Sequence, residues 1–406
     1  MDLNDTPELA EYRLKVRAWL DEHKADAPEG GGSQHEDVAV IAARRAWQGE
    51  LTKGGLNGIT WPADYGGQGL GPLHQVVANQ EISRAGVPGI LDIIGVGMLG
   101  PTIIAHGSED QKERYLPPML SGEEVWCQLF SEPAAGSDLA AVQARARKED
   151  DGSWRLSGQK VWTTNAQFAQ YGLLLARTDA DLPKHKGLTM FVVPMDAEGV
   201  TVRPLRQISG DAHFNEVFLD DVQLEPNSEV GPVDGGWGVA LTTLMFERIT
   251  IGLGGEGFGW RADRFGQALA RDEHAVADKE VRKRFGAIAT DFLALRYTSY
   301  RMLSELSKGR IPGPEGGLAK VTTIKAAIEA GELLADTLGP DALSEDEDGW
   351  GKLVSDLPGL KSAGGTEEIL RNLVGERVLG LPPEPRFDKG VPFSELKAKE
   401  REMSPK

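Results

Sequence analysis

The 406-residue chain is poor in cysteine, histidine, long apolar runs and basic charge. A single cysteine, Cys127, excludes an intramolecular disulfide and suits a reducing compartment. It has no partner pattern and reads as a small buried side chain. The seven histidines are scattered without ligand spacing, so no metal centre is expected. Lys and Arg number 44 against 62 Asp and Glu, giving a net charge of −18. That sign is wrong for phosphate backbones and anionic membrane surfaces, which makes nucleic acid and lipid headgroups poor partners. No run approaches the roughly 18 apolar residues of a membrane span. Met1 to Leu9 has neither the basic nor the apolar region of a signal peptide, so the expectation is a soluble cytoplasmic protein. There is also no G-x-G-x-x-G after a strand and no P-loop, which argues against dinucleotide and NTP sites of those types.

What is present is ample core material. The composition is 40% hydrophobic, with 50 Gly and 23 Pro spread along the chain, enough for two or three domains. Three regions differ in period. Residues 1–124 read as helices: Thr6-Pro7 looks like a cap followed by proline in the first turn, and Ser108 with Gln111 forms a capping-box pattern. Residues 125–232 read as short strands at Gly172–Arg177, Leu188–Met195, Val200–Leu205 and Glu216–Leu224. Asp151-Gly152 marks a hairpin turn, and the whole suggests a small barrel or sandwich. Residues 233–390 return to helical spacing, with an apolar stretch at Val239–Leu253. Glu345–Asp348 reads as a solvated loop, and the tail after Leu381, with 391–406 as its last segment, as extended and partly mobile.

Four clusters carry candidate chemistry. Gln128-Leu129-Phe130-Ser131-Glu132-Pro133-Ala134-Ala135-Gly136-Ser137-Asp138 offers small residues, successive N–H groups and two hydroxyls to a flat, polar-edged ring or a phosphate. The same residues make ordinary surface turns. Gly158-Gln159-Lys160-Val161-Trp162-Thr163-Thr164-Asn165 sets an indole beside hydroxyls and an amide, which suits a heteroaromatic ligand or equally a sheet core. Glu247-Arg248 lies on a largely apolar helix. The residues one turn from Glu247, Thr243 and Ile251, carry no charge, so Glu247 must reach a distant partner, snorkel, or work with a raised pKa as a base. Gly364-Gly365-Thr366-Glu367-Glu368 makes either an anion-friendly helix N-terminus or a plain helix start.

Taken in order, these clusters resemble the acyl-CoA dehydrogenase family over nearly the whole chain. The resemblance extends to Trp61-Pro62-Ala63-Asp64-Tyr65-Gly66-Gly67-Gln68-Gly69 and to Gly107-Ser108-Glu109-Asp110-Gln111-Lys112 through Tyr115-Leu116-Pro117. It implies an α+β multidomain fold: an N-terminal α-helical domain, a central β-barrel domain and a C-terminal four-helix bundle. It implies FAD held by Gln128, Phe130, Ser131, Ser137, Trp162, Thr163, Thr164, Thr366 and Glu368, with Ser137 and Arg248 on the CoA portion and Glu247 as catalytic base. The acyl-CoA would lose two hydrogens across its α and β carbons, and an electron-transfer flavoprotein would take the electrons. A flavin oxidase or monooxygenase of the same fold, or a non-catalytic subunit, are the alternatives. Two departures stand out. The position just before the fourth cluster's Gly-Thr, where most members keep the base, is Gly364. The usual Gln-x-x-Gly-Gly is absent, with Ala335-Asp336-Thr337-Leu338-Gly339-Pro340-Asp341 near its place, and no Arg…Phe-Gly segment is clear near Ala268–Val276. The expectation is therefore a homo- or hetero-tetramer, and in the hetero-tetramer an unlike subunit would complete the FAD site.

Overall fold

The computed structural model describes residues 5–28, 37–253, 262–306, 308, 316–340, 350–386 and 388–403. The chain forms two compact units: Met1–Arg206 with Ala212–Glu247 and Pro385–Lys406, and Gln207–Asp211 with Arg248–Glu384.

The first unit opens with helices α1 (Pro7–His23), α2 (Val38–Lys53), α3 (Pro72–Ala85), α4 (Gly100–His106) and α5 (Glu109–Ser121). Thr6 caps α1 with its hydroxyl on the Leu9 amide, and Ser108 and Gln111 form the reciprocal box at α5, as their spacing requires. A π-helical turn, Gly95–Leu99, runs directly into α4 and is not legible from spacing.

Eight strands follow: β1 (Trp126–Leu129), β2 (Arg145–Lys148), β3 (Trp154–Thr164), β4 (Tyr171–Arg177), β5 (Leu188–Pro194), β6 (Val200–Leu205), β7 (Phe214–Leu224) and β8 (Glu229–Val230). They form one sheet in the order β6-β7-β3-β2-β4-β5-β8, with β1 parallel to β4. The β2–β3 turn lies at Asp151-Gly152, Gly152 closing it with its N–H on the Glu149 carbonyl at 3.0 Å. Side chains alternate between two cores. Trp126, Leu173, Leu175, Met190 and Val192 pack with Leu99, Ile103, Leu116 and Met119 of the helices. Cys127, Leu129, Leu174, Phe191 and Val193 pack on the other face with Val217, Leu219 and Val222. Burial on both faces is why β4 and β5 read as continuous apolar runs.

Helix α6 (Gly236–Leu253) starts in this unit. Its first turns enter the helix–sheet core through Val239 and Ala240. Thr243 and Thr242 meet Thr102 (3.0 Å) and His106 (2.8 Å) of α4.

The second unit contains α7 (Ala262–Leu269), α8 (Glu273–Ala277), α9 (Lys279–Leu306), α10 (Gly317–Leu338), α11 (Trp350–Leu360) and α12 (Glu367–Arg377). α10 is central, packing against α7, α9, α11 and α12. Its small residues Ala327 and Ala330 admit Phe265, Ile288, Trp350 and Leu357 to a common core. Glu345–Asp348 and Asp341 lie outside the described residues.

The tail differs from expectation. Residues 393–403 form helix α13 (Phe393–Met403), docked on the β4–β5 loop of the first unit. The Phe393 and Ser394 amides donate to the carbonyls of Leu182 (3.0 Å) and Ala180 (2.8 Å). The buried Phe393 ring covers the Arg177 guanidinium at 3.8 Å, an apolar anchor that outweighs the polar composition of the segment. No described helix is long and apolar enough to cross a membrane.

Candidate active site

The first two clusters meet. β1 ends at Leu129, and the chain turns at Glu132–Ala135, which exchange backbone hydrogen bonds at 3.0 Å. The Val161 amide of β3 donates to the Ser131 carbonyl at 2.9 Å, so Ser131 lies alongside the strand that carries Trp162.

A buried ion pair fixes this junction. Lys160 is fully buried, and its ammonium donates to Glu132 Oε1 (2.9 Å), the Phe130 carbonyl (3.0 Å) and the Leu175 carbonyl (2.8 Å). All three protons are used. Glu132, 7% exposed, also accepts from the Gln143 and Ala144 amides at 2.7 and 2.8 Å. Burial presses the Lys160 ammonium below its usual range, and the Glu132 carboxylate opposes the shift. The pair thus ties β1, the turn, β3 and β4 together. Gly158 lets the residue before β2 pass close by, since a Cβ there would fall 2.6 Å from the Ala144 Cβ.

Beyond Lys160 the β3–β7 register slips between Lys160 and Thr163. At this bulge Trp162 adopts φ 59, a left-handed backbone rare for an aromatic residue, and its indole is 60% exposed. Phe214 braces it edge-on at 5.8 Å. Phe130 and Thr163 are buried (3% and 1%), so a ligand would meet their backbone. Thr163 Oγ1, Asn165 Oδ1 and Asn215 Oδ1 are buried without hydrogen-bond partners among the described residues. Gln128, Ser131 and Thr164 are half-buried, and Ser137 is exposed.

A second brace lies behind the loop. Arg177 donates to the carbonyls of Ala140 (2.6 Å), Val142 (3.2 Å), Lys184 (3.2 Å) and Lys186 (3.3 Å). Its burial lowers its pKa to about 10. Asp92, fully buried, accepts from the Gly95 amide of the π turn (2.8 Å) and the Trp126 amide of β1 (3.0 Å), and burial raises its pKa to about 7. None of Glu132, Lys160, Arg177 or Asp92 was singled out as a functional side chain from sequence. Lys160 did leave a signal, since it shares the inward parity of Leu156 in β3.

Glu247 is half-buried, one turn beyond Thr243 on the α6 face that meets α4. It has an interaction of its own in the folded chain. Arg248 is exposed. In the second unit Thr366 caps α12, its hydroxyl accepting from the Ile369 amide at 3.3 Å, and Glu368 is exposed in the first turn. Gly364 and Gly365 both have left-handed φ, 63 and 87, and Lys320 donates to the carbonyls of Ala363 and Gly365. Gly364 therefore sits where any residue with a Cβ is strained. No group of three or more potential metal ligands occurs among the described residues.

Comparison with known proteins identifies the domains along most of the chain. Residues 6–123, 127–222 and 234–379 match the N-terminal, middle and C-terminal domains of acyl-CoA dehydrogenases. Acyl-CoA dehydrogenase IpdE1 of Mycobacterium tuberculosis is 37% identical over 383 residues, covering 93% of this chain and 99% of its own. Acyl-CoA dehydrogenase FadE34 of the same organism is 39% identical over 363 residues, 88% of this chain and 50% of its own. A solved structure described as the Tcur3481-Tcur3483 steroid ACAD superposes with a TM-score of 0.79 at 29% identity, over 95% of this chain and 100% of that one. With helical, β and helical parts matched in order, the chain belongs to the acyl-CoA dehydrogenases, a family of oxidoreductases.

Proposed function

We propose that this chain is an FAD-dependent acyl-CoA dehydrogenase that introduces an α,β double bond into an acyl-CoA thioester, with Glu247 as the base. The observation that carries the reading is the β3 bulge, which spends backbone strain to present the Trp162 indole beside the Ser131 segment. The residues fit a flavin. An exposed indole offers a stacking face, Ser131 and Thr164 offer hydroxyls, and unpartnered buried polar atoms lie at Thr163 and Asn165. When bound, FAD supplies the acceptor for the β-hydride.

The remaining chemistry belongs to the protein. Glu247, half-buried on an apolar helix, takes the α-proton as general base. Hydrogen bonds to the thioester carbonyl stabilise the developing enolate. Ser137 and Arg248, both exposed, hold the CoA portion. The left-handed Gly364 leaves Glu247 as the single acid of the two family positions. Thr366 and Glu368 contact FAD from α12, and the domains run 1–124, 125–232 and 233–390. An electron-transfer flavoprotein accepts the electrons. The likeness to the Tcur3481-Tcur3483 steroid ACAD motivates a cyclic, steroid-derived acyl group as the first substrate to try.

A second reading concerns assembly. The missing Gln-x-x-Gly-Gly, together with solved relatives described as the ChsE4-ChsE5 complex and the Tcur3481-Tcur3483 pair, favours a tetramer of unlike subunits sharing the FAD site. The test of the whole reading is anaerobic addition of straight-chain and steroid acyl-CoAs to the FAD-loaded protein, alone and with its unlike subunit. Bleaching of the flavin absorbance supports it. Stable yellow colour with every acyl-CoA in both preparations, or peroxide as the main product in air, contradicts it.

A further inference from the structure

The first unit contains a cavity of about 850 Å³ that the reaction above does not use. One wall is the outer face of β2 and β3. The register sets Arg145 opposite Ser157 and Arg147 opposite Arg155, while Ala146 and Leu156 point into the domain. Like charges directly across a sheet destabilise the pair. Here Arg147 is relieved by Glu149 at 2.9 Å and Arg155 by Asp221 at 3.3 Å. Arg145 makes no ion pair among the described residues. The opposite wall is α13, which brings in Lys397.

In all, six basic side chains line the cavity against three carboxylates, in a chain whose net charge is −18. One of those carboxylates, Asp221, already serves Arg155, and another, Asp234, accepts from the Thr178 hydroxyl at 2.5 Å. A local basic excess lining a concave space is not what solubility requires, and guanidinium forks match phosphate oxygens in pairs. The volume falls within the range of small-molecule and cofactor sites, so it admits a nucleotide as well as a simple anion.

We propose that this cavity between the β2–β3 face and α13 is a phosphonucleotide site, in which Arg145 and Lys397 hold the phosphate. The phosphate has two possible sources, the nucleotide end of a CoA thioester and a free nucleotide. The probe is adenosine 3′,5′-bisphosphate, titrated calorimetrically into the FAD-loaded protein at low and moderate salt. Binding should weaken as salt rises. Arg145→Glu and Lys397→Glu should each weaken it about tenfold or more, and Lys15→Glu, on α1, should not. Arg145 is exposed and Lys397 half-buried, and unchanged melting temperatures verify that the variants fold. If the source is the CoA thioester, acyl-CoA displaces the probe and Arg145→Glu raises KM at constant kcat. If it is a free nucleotide, the probe binds in the presence of saturating acyl-CoA and KM is unchanged. Absence of binding to the wild-type protein, or equal binding by both charge-reversal variants, overturns the proposal. The probe reports on the cavity directly, so the outcome is independent of whether Glu247 is the base.

Discussion

Replacing Lys160 by Met is the most informative perturbation of the scaffold under the candidate flavin site. The substitution keeps a long apolar stem but removes three hydrogen bonds at once, to Glu132, Phe130 and Leu175. Glu132 retains two backbone amides yet becomes a buried carboxylate without its counter-ion. Removing one partner of such a pair costs about 3–5 kcal/mol. The cost should appear locally, as opening of the segment where Val161 donates to Ser131. Hydrogen exchange by mass spectrometry over 128–136 and 158–164 should then lose roughly 100-fold or more of its protection. Glu132→Gln alone should lose a similar amount. The double variant has no buried charge at this point, so it should be no worse than the poorer single variant, giving a coupling of about 3 kcal/mol. Losses in the double variant equal to the sum of the singles, or near-native protection in Lys160→Met, would refute the idea that this pair fastens the loop.

Trp162→Gly separates strain from binding. Relief of the φ 59 backbone should stabilise the FAD-free protein by about 1 kcal/mol in urea denaturation, while loss of the indole face weakens FAD about tenfold by fluorescence titration. FAD binding as tight as in the wild-type protein would remove Trp162 from the site. Asp92 sets a pH dependence. A carboxyl raised to about 7 from 3.8 favours the folded state fully below pH 3.8, and that contribution declines as pH rises through 7. The difference is at most about 4 kcal/mol. Stability of the wild-type protein should therefore fall between pH 5 and 7.5 relative to Asp92→Asn, which cannot titrate. Parallel curves for the two proteins would contradict the assignment.

Much of the domain order was legible because its causes are local. Short β-type runs and turn residues placed β4 to β7 to within two residues, and caps at Thr6 and Ser108 fixed two helix starts. The signature residues around Ser131 and Lys160 were legible as a group, but their division of labour was not. Glu132 and Lys160 are 28 positions apart, and only the sheet register shows them serving each other. The bulge escaped notice because a one-residue slip barely disturbs alternation, yet it alone turns Trp162 outward. Helix α13 escaped because the prolines before it and its lysines suggest extended chain. Its anchors, the Phe393 ring on Arg177 and the amides bonded to Leu182 and Ala180, are contacts across more than 200 residues.

The central claim is that Glu247 removes the α-proton. Stopped-flow reduction of the FAD-loaded Glu247→Gln variant by an acyl-CoA that bleaches the wild-type protein tests it most directly. The expected result is unchanged FAD content with a reduction rate lower by about 10²–10⁴-fold. Reduction at the wild-type rate would show that another group is the base.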